Sequence, residues 1–97
     1  MSIARITTII FKSQTAVDAA AKSYEAIEAN DFHSAEQLIG IQSNGNKLIG
    51  VTLFDSQEAM DKSDAVRDER MANPNIVSIE DVVGKVRLNH LNWLMLG

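Results

Sequence analysis

Cysteine is absent from the 97-residue sequence, proline occurs once, and aromatic residues make up only 5% of it. Without cysteine the chain can form no disulfide bond, and it offers neither a thiolate nucleophile nor a thiolate ligand for zinc. Apolar residues account for 45% of the chain, so the core is expected to be largely aliphatic. A chain of this length buries enough surface for one hydrophobic core but not for two, which predicts a single domain over residues 1–97.

Positive charge is also scarce. Nine Lys and Arg residues face thirteen Asp and Glu residues, which gives a formal net charge of −4. Nucleic-acid binding relies on clustered basic residues, and here they are scattered, so no binding to nucleic acid or to an anionic membrane is expected. No apolar run approaches the roughly 20 residues that span a bilayer, and the first residues lack the features of a signal peptide. These absences predict a soluble cytoplasmic protein.

Hydrophobic periodicity predicts the element order β-α-β-β-α-β. Residues 3–12 are rich in β-branched side chains, as in a strand covered on both faces, and Ser13 is a suitable N-cap for the helix that follows. Asp55 and Glu58 have the spacing of a capping box for a second helix. The last apolar run, residues 76–88, predicts the fourth strand. This order is typical of an α+β, ferredoxin-like domain with a four-stranded antiparallel sheet and two helices on one face.

The hairpin between the second and third strands sets which side chains share a face. A two-residue loop at Asn44-Gly45 would leave neither face uniformly apolar, whereas a three-residue loop, Ser43-Asn44-Gly45, pairs Gln42 with Asn46. In that register Gly40 is expected opposite Leu48. One face is then uniformly apolar and is predicted to pack against the helices; it carries Ile39, Ile41, Ile49, Val51 and Leu53.

The opposite face is predicted to line a ligand cavity. It is also substantially apolar, and because two helices cover only one face of the sheet, it needs a partner. A homodimer with facing sheets is the economical solution; a monomer with its apolar tail, residues 89–97, folded over this face is the alternative. The predicted cavity residues are Leu38, Gly40, Gln42, Leu48, Gly50, Thr52 and Phe54.

The segment Leu53-Phe54-Asp55-Ser56-Gln57-Glu58-Ala59, which leads from a strand into a helix, resembles the strand-end motif of a known family. It is similar to the "aromatic-x-Ser-x-Glu-Ala" of the antibiotic biosynthesis monooxygenase-like group in the dimeric α/β-barrel superfamily. The resemblance implies a ferredoxin-like subunit that pairs into a barrel with a small internal cavity. Members include cofactor-free oxygenases that act on aromatic polyketides and haem-degrading enzymes.

Two departures from the group's pattern narrow what the resemblance implies. Phe54 stands where the group usually has Trp, and Phe cannot donate a hydrogen bond. The haem-degrading branch has an Asn on the first strand and a His on the second helix. In this chain, residues 3–12 contain no Asn and residues 55–73 contain no His. The resemblance therefore does not extend to haem degradation.

Few residues are candidates for chemistry. His33 and His90 are weak candidates for a catalytic base, because imidazole titrates near neutral pH; otherwise His33 is a loop residue near the cavity mouth and His90 a dimer contact. Two histidines are too few for a metal site, so neither a metal nor a cofactor is predicted. Arg67 and Arg70 flank the apolar side of the second predicted helix. There they either cover apolar surface with the aliphatic part of their side chains or hold an anionic substrate. Tyr24 is expected to pack in the core.

Two functions remain open from the sequence. The first is a small dimeric protein that binds an apolar or aromatic molecule in its cavity, as a cofactor-independent monooxygenase if it is an enzyme. The second is a non-catalytic dimer that binds a metabolite or a partner protein. No glycine-rich phosphate loop, nucleophile elbow or pair of catalytic carboxylates supports phosphoryl transfer or hydrolysis.

Overall fold

A computed structural model of the chain describes residues 2–26 and 34–90. Within these residues, four strands and three helices follow one another in the order β-α-β-β-α-α-β. Their bounds are β1 Ile3–Phe11, α1 Gln14–Glu25, β2 Ala35–Ser43, β3 Lys47–Phe54, α2 Gln57–Lys62, α3 Asp64–Met71 and β4 Ile76–Lys85.

The strands form one antiparallel sheet in the order β2-β3-β1-β4. β1 is a central strand, paired with β3 on one side and β4 on the other. β2 and β3 are joined as a hairpin, while the connections that contain helices cross over the sheet. The predicted ferredoxin-like α+β fold is confirmed.

Helices α1 and α2 each begin at a serine whose hydroxyl satisfies a backbone donor that the first turn leaves unpaired. Ser13 accepts from the Ala16 backbone N–H at 3.1 Å, as predicted. The second segment is capped by Ser56, which accepts from the Ala59 N–H at 3.1 Å. The predicted cap at Asp55 was therefore one residue too early.

Ser63 divides the second predicted helix into α2 and α3. Its backbone N–H bonds to the Met60 carbonyl at 3.0 Å, three residues back, and its hydroxyl donates to the same oxygen at 2.8 Å. These bonds tighten the last turn of α2 and end it, so that α3 starts afresh at Asp64. The prediction of one continuous helix over residues 55–73 was wrong.

The hairpin loop is Asn44-Gly45-Asn46, one residue later than predicted, because Ser43 pairs with Lys47. Gly45 and Asn46 both have left-handed backbone angles, with φ of 79° and 59°, and glycine and asparagine tolerate this region best. The two registers place the same residues on each face. However, Gly40 lies opposite Gly50 rather than Leu48.

The helices cover the face of the sheet that was predicted to be open. The hydrophobic core on that face contains Ile9, Phe11, Val17 and Leu48. The isoleucine-rich face predicted to contact the helices is left exposed; Ile6, Ile39 and Ile41 keep 40–45% of their surface accessible. The prediction of which residues share a face was correct, but the helices pack against the opposite face from the one predicted.

No helix within residues 2–26 and 34–90 is long and apolar enough to cross a membrane.

Candidate functional site

A cavity of about 270 Å³ lies between the helices and the sheet. Its floor is formed by β1 and β3, and its walls by α1, α3 and the residues that lead into β4. None of the lining residues within 2–26 and 34–90 is acidic. The lining consists of Arg5, Thr7, Ile9, Phe11, Ala16, Ala19, Ala20, Ser23, Tyr24, Leu38, Leu48, Gly50, Thr52, Arg67, Arg70, Met71, Asn73, Asn75 and Ile76.

The register of β1 against β3 divides the cavity floor into an apolar end and a polar end. Ile9 pairs with Leu48 at the apolar end, while Arg5 pairs with Thr52 at the other. Side chains two residues apart on a strand share a face, so the floor changes from aliphatic to polar within a few residues. A ligand with an apolar body and polar substituents would find both surfaces in one cavity.

Arg5 is a buried cation on the polar floor, with 9% of its surface exposed. Its Nη1 donates to Asp64 Oδ1 at 3.0 Å and its Nη2 to Ser63 Oγ at 3.3 Å. The guanidinium carbon lies 5.6 Å from the centre of the Phe54 ring, within the range of a cation–π contact. Arg5 thus links the junction of α2 and α3 to the sheet, and it positions the start of α3, which forms part of the cavity wall.

Asp81 joins β1, β4 and α3 at the polar end. It accepts a hydrogen bond from Thr7 Oγ1 at 2.7 Å, and Arg67 donates to both of its carboxylate oxygens. Thr7 and Asp81 are neighbours across the β1–β4 ladder. The carboxylate is therefore occupied by two donors, and it holds Arg67 against the cavity.

Tyr24 approaches the floor from α1 where the two strands carry no side chain. A Cβ at Gly40 would lie 3.3 Å from two ring carbons of Tyr24, and a Cβ at Gly50 would lie 3.3 Å from its hydroxyl oxygen. The paired glycines therefore leave room for the ring on the bare backbone. Burial raises the pKa of the Tyr24 phenol, although a hydrogen bond with Thr52 and the nearby charge of Arg70 act in the opposite direction. The Tyr24 phenol is therefore protonated at neutral pH.

An outer groove of about 340 Å³ lies beyond Tyr24, between α1 and the edge strand β2. It shares Tyr24 and two leucines of the floor with the inner cavity; its lining is Ala21, Tyr24, Glu25, Leu38, Gly40, Gln42 and Leu48. Gln42 Nε2 donates to Asp18 Oδ1 at 2.7 Å, which links β2 to α1. This bond and a second one from Gln14 lower the pKa of the exposed Asp18 carboxyl.

The predicted cavity residues are divided among three places. Leu38, Leu48, Gly50 and Thr52 line the inner cavity, and Gly40 and Gln42 line only the outer groove. Phe54 is fully buried, beneath Arg5, and lines neither. These residues lie under the helices of one subunit, not on the open face where the cavity was expected.

The two histidines are not among the lining residues that the structure describes. His90 is exposed and follows the end of β4, and His33 lies outside the described residues. Among residues 2–26 and 34–90, no cluster of three or more His, Asp or Glu side chains could hold a metal ion.

Sequence reasoning missed Arg5, Thr7 and Asp81. The available signal was alternation: Arg5 and Thr7 occupy the same face of β1 as Ile9 and Phe11. A charged residue that falls on the core side of a strand is rarely buried unless it is paired, and this was the sign of a polar cavity wall. The partners could not be identified, because they lie 59 and 74 residues further along the chain.

Several solved structures are similar to this chain in fold. A dimeric ferredoxin-like protein from an uncultured marine organism superposes with a TM-score of 0.74, covering 94% of this chain and 92% of that chain, at 13% sequence identity. A monooxygenase from the gene ActVA-Orf6 of Streptomyces coelicolor, solved with nanaomycin D, gives 0.72 over 94% and 92%, at 11% identity.

The chain shares the fold of these ferredoxin-like proteins. SnoaB, a cofactor-independent oxygenase from Streptomyces nogalater, has the same fold, with a TM-score of 0.67, 8% identity and coverage of 91% of this chain and 95% of that chain. No protein-family model and no curated protein matches the sequence. The likeness to ferredoxin-like and antibiotic biosynthesis monooxygenase-like structures is therefore a likeness of fold.

Proposed function

We propose that this protein binds a small aromatic molecule in the cavity between its helices and its sheet. The observation that carries the proposal is the cavity itself, with aliphatic side chains at one end and arginines and hydroxyls at the other. The aromatic body would lie against Ile9, Leu48 and Phe11. Phenol or carbonyl oxygens of the ligand would face Thr52 and the arginines.

The reaction that suits this cavity is oxidation of the ligand by O₂ without a bound cofactor. A benzylic CH₂ flanked by aromatic rings would be converted to a ketone: CH₂ and O₂ give C=O and H₂O. The carbon supplies four electrons, one oxygen atom enters the product and the other leaves as water. The protein would contribute orientation and exclusion of water. Two proteins of the same fold support an oxygenation: one is a monooxygenase from the gene ActVA-Orf6, and the other, SnoaB, is a cofactor-independent oxygenase.

A non-catalytic function, binding a metabolite without turnover, is the second candidate. It is favoured by the absence of a histidine or carboxylate from the described cavity lining, which leaves no ordinary general base to ionise the ligand. Oxygen consumption separates the two candidates. Uptake of O₂ with a hydroxylated anthrone, in excess of a protein-free control, supports the oxygenase, and tight binding without uptake supports the second function.

Binding itself is tested with naphthol and a matched pair of substitutions. Ala20 lines the inner cavity and Ala21 lines only the outer groove, although they are neighbours on α1. Ala20→Leu would fill the cavity and is expected to abolish naphthol binding in isothermal titration calorimetry. Ala21→Leu adds the same side chain outside and is expected to leave binding within about twofold. Equal binding by both variants would show that naphthol binds elsewhere.

We further propose that a second copy of the chain covers the open face of the sheet. Ile6, Ile39 and Ile41 lie on that face at 40–45% exposure, which is unusual for a face without a partner. The marine protein of the same fold is a dimer, which supports a homodimer here. Light scattering should give the mass of a dimer, and Ile41→Glu should give a monomer. Thr15→Glu, the same charge change on exposed α1, should remain dimeric; a monomeric wild type would refute the proposal.

A further inference from the structure

We propose that Tyr24 determines the length of the ligand, because its side chain closes the inner cavity against the outer groove. The inference rests on the proposed binding of an aromatic molecule in that cavity. The ligand class is a phenol or similar aromatic molecule with an apolar extension, and the extension is what Tyr24 limits.

The two spaces are neighbours with a shared boundary. Tyr24, Leu38 and Leu48 line both of them. The leucines belong to strands β2 and β3 and form part of the floor. Tyr24 comes from α1, above the floor, and is the one helical residue among the described lining that borders both spaces. A ligand that extends from the inner cavity into the groove must pass this side chain.

The ring lies close above the Gly40–Gly50 pair of the floor. The positions that a Cβ would occupy at these glycines are 3.3 Å from atoms of the Tyr24 side chain. A side chain at either glycine would therefore require the ring to shift by a few tenths of an ångström. The two glycines therefore permit closure, and the closure is made by an aromatic side chain.

The hydroxyl end of the ring lies near Thr52, a residue of the inner cavity, and near the charge of Arg70, since both lower the pKa of the phenol. The phenol thus presents its polar group to the inner cavity, while its ring carbons lie close to Gly40. Beyond it the surroundings change, since Glu25 and Gln42 line the groove.

A series of para-alkylphenols, from ethylphenol to octylphenol, tests the inference by calorimetry. While a tail is being buried, each added methylene should raise affinity about fourfold. In the wild type the increase should stop at a tail length set by Tyr24. Tyr24→Leu should shift that limit to longer tails, and Tyr24→Phe, which keeps the ring, should leave the limit where it is.

The tail length at which affinity stops increasing distinguishes the possible results. The same limit in the wild type and in a folded Tyr24→Leu protein would overturn the inference while leaving the proposed function standing. No binding of any alkylphenol or of naphthol by the wild type would refute the proposed function. A second measurement needs no variant: nuclear Overhauser contacts in the wild type from the tail's terminal methyl to the Tyr24 ring support the inference, and contacts to the Ala21 methyl overturn it.

Discussion

Replacing Arg5 by methionine should destabilise the protein, because Arg5 connects the sheet to the junction of α2 and α3. Methionine keeps the apolar stem and removes only the guanidinium. The lost contacts are the hydrogen bonds to Asp64 at 3.0 Å and to Ser63 at 3.3 Å, and the cation–π contact with Phe54 at 5.6 Å.

The magnitude follows from what each partner does afterwards. The Asp64 side chain is 50% exposed and can return to water, so its bond is worth only about 0.5–1 kcal/mol. Ser63 keeps its bond to the Met60 carbonyl, so losing one more partner costs about 0.5–1 kcal/mol. The contact with the Phe54 ring adds about 0.5–1 kcal/mol. We expect Arg5→Met to lower the free energy of unfolding by about 2 kcal/mol.

Urea unfolding monitored by circular dichroism, at one protein concentration, measures this change. Lys62→Met is the matched control: Lys62 lies 3.6 Å from Glu58 and both side chains are exposed, so its loss should cost no more than about 0.5 kcal/mol. Equal effects of the two substitutions would refute the reasoning that Arg5 joins the helical junction to the sheet.

Three further predictions concern single residues. Tyr24 is the only tyrosine, so ultraviolet titration reports it alone; its midpoint should lie above 10.0, and the stability that depends on the neutral phenol should be lost as pH rises beyond that value. Asp18→Asn should lower the melting temperature near neutral pH, with the difference vanishing as pH falls below 3.8 through the depressed pKa of the folded state; a constant difference would contradict this. Gly45→Ala should cost about 1–2 kcal/mol in urea unfolding because φ is 79°, whereas Gly84→Ala, with open space around it and no positive φ, should cost less.

Local sequence patterns were sufficient for the order of the elements. The β-branched residues of β1 and the serine before α1 act within their own segments, so strand and helix could be recognised without knowledge of the partners. The hairpin loop was displaced by one residue, because either Gly45 alone or Gly45 with Asn46 can supply the left-handed turn. Only the pairing of Ser43 with Lys47 distinguishes the two.

The assignment of faces failed for a physical reason. Ile39, Ile41 and Ile49 make a uniformly apolar face, which favours burial, but burial against a helix and burial against a second subunit have the same pattern. Gly40 and Gly50 lie on the other face, which was predicted to line a cavity. Their absent side chains in fact accommodate the Tyr24 ring, a contact between segments that sequence periodicity does not report.

The polar end of the cavity was beyond prediction for a related reason. Arg67 was a candidate for anion binding or for covering apolar surface, and the structure gives it an ionic partner, Asp81, on another element. Asp81 lies in β4 between Glu80 and Val82, and nothing local marks it as facing a helix. Such networks depend on tertiary packing, which a single sequence does not specify.

Nuclear Overhauser contacts between naphthol and methyl groups test the central claim most directly, since they locate the ligand on one face of the sheet. The account predicts contacts to Ile9, Leu48 and Ala20, which line the cavity beneath the helices. Contacts to Ile39 and Ile41 on the exposed face would contradict it and place the ligand between subunits.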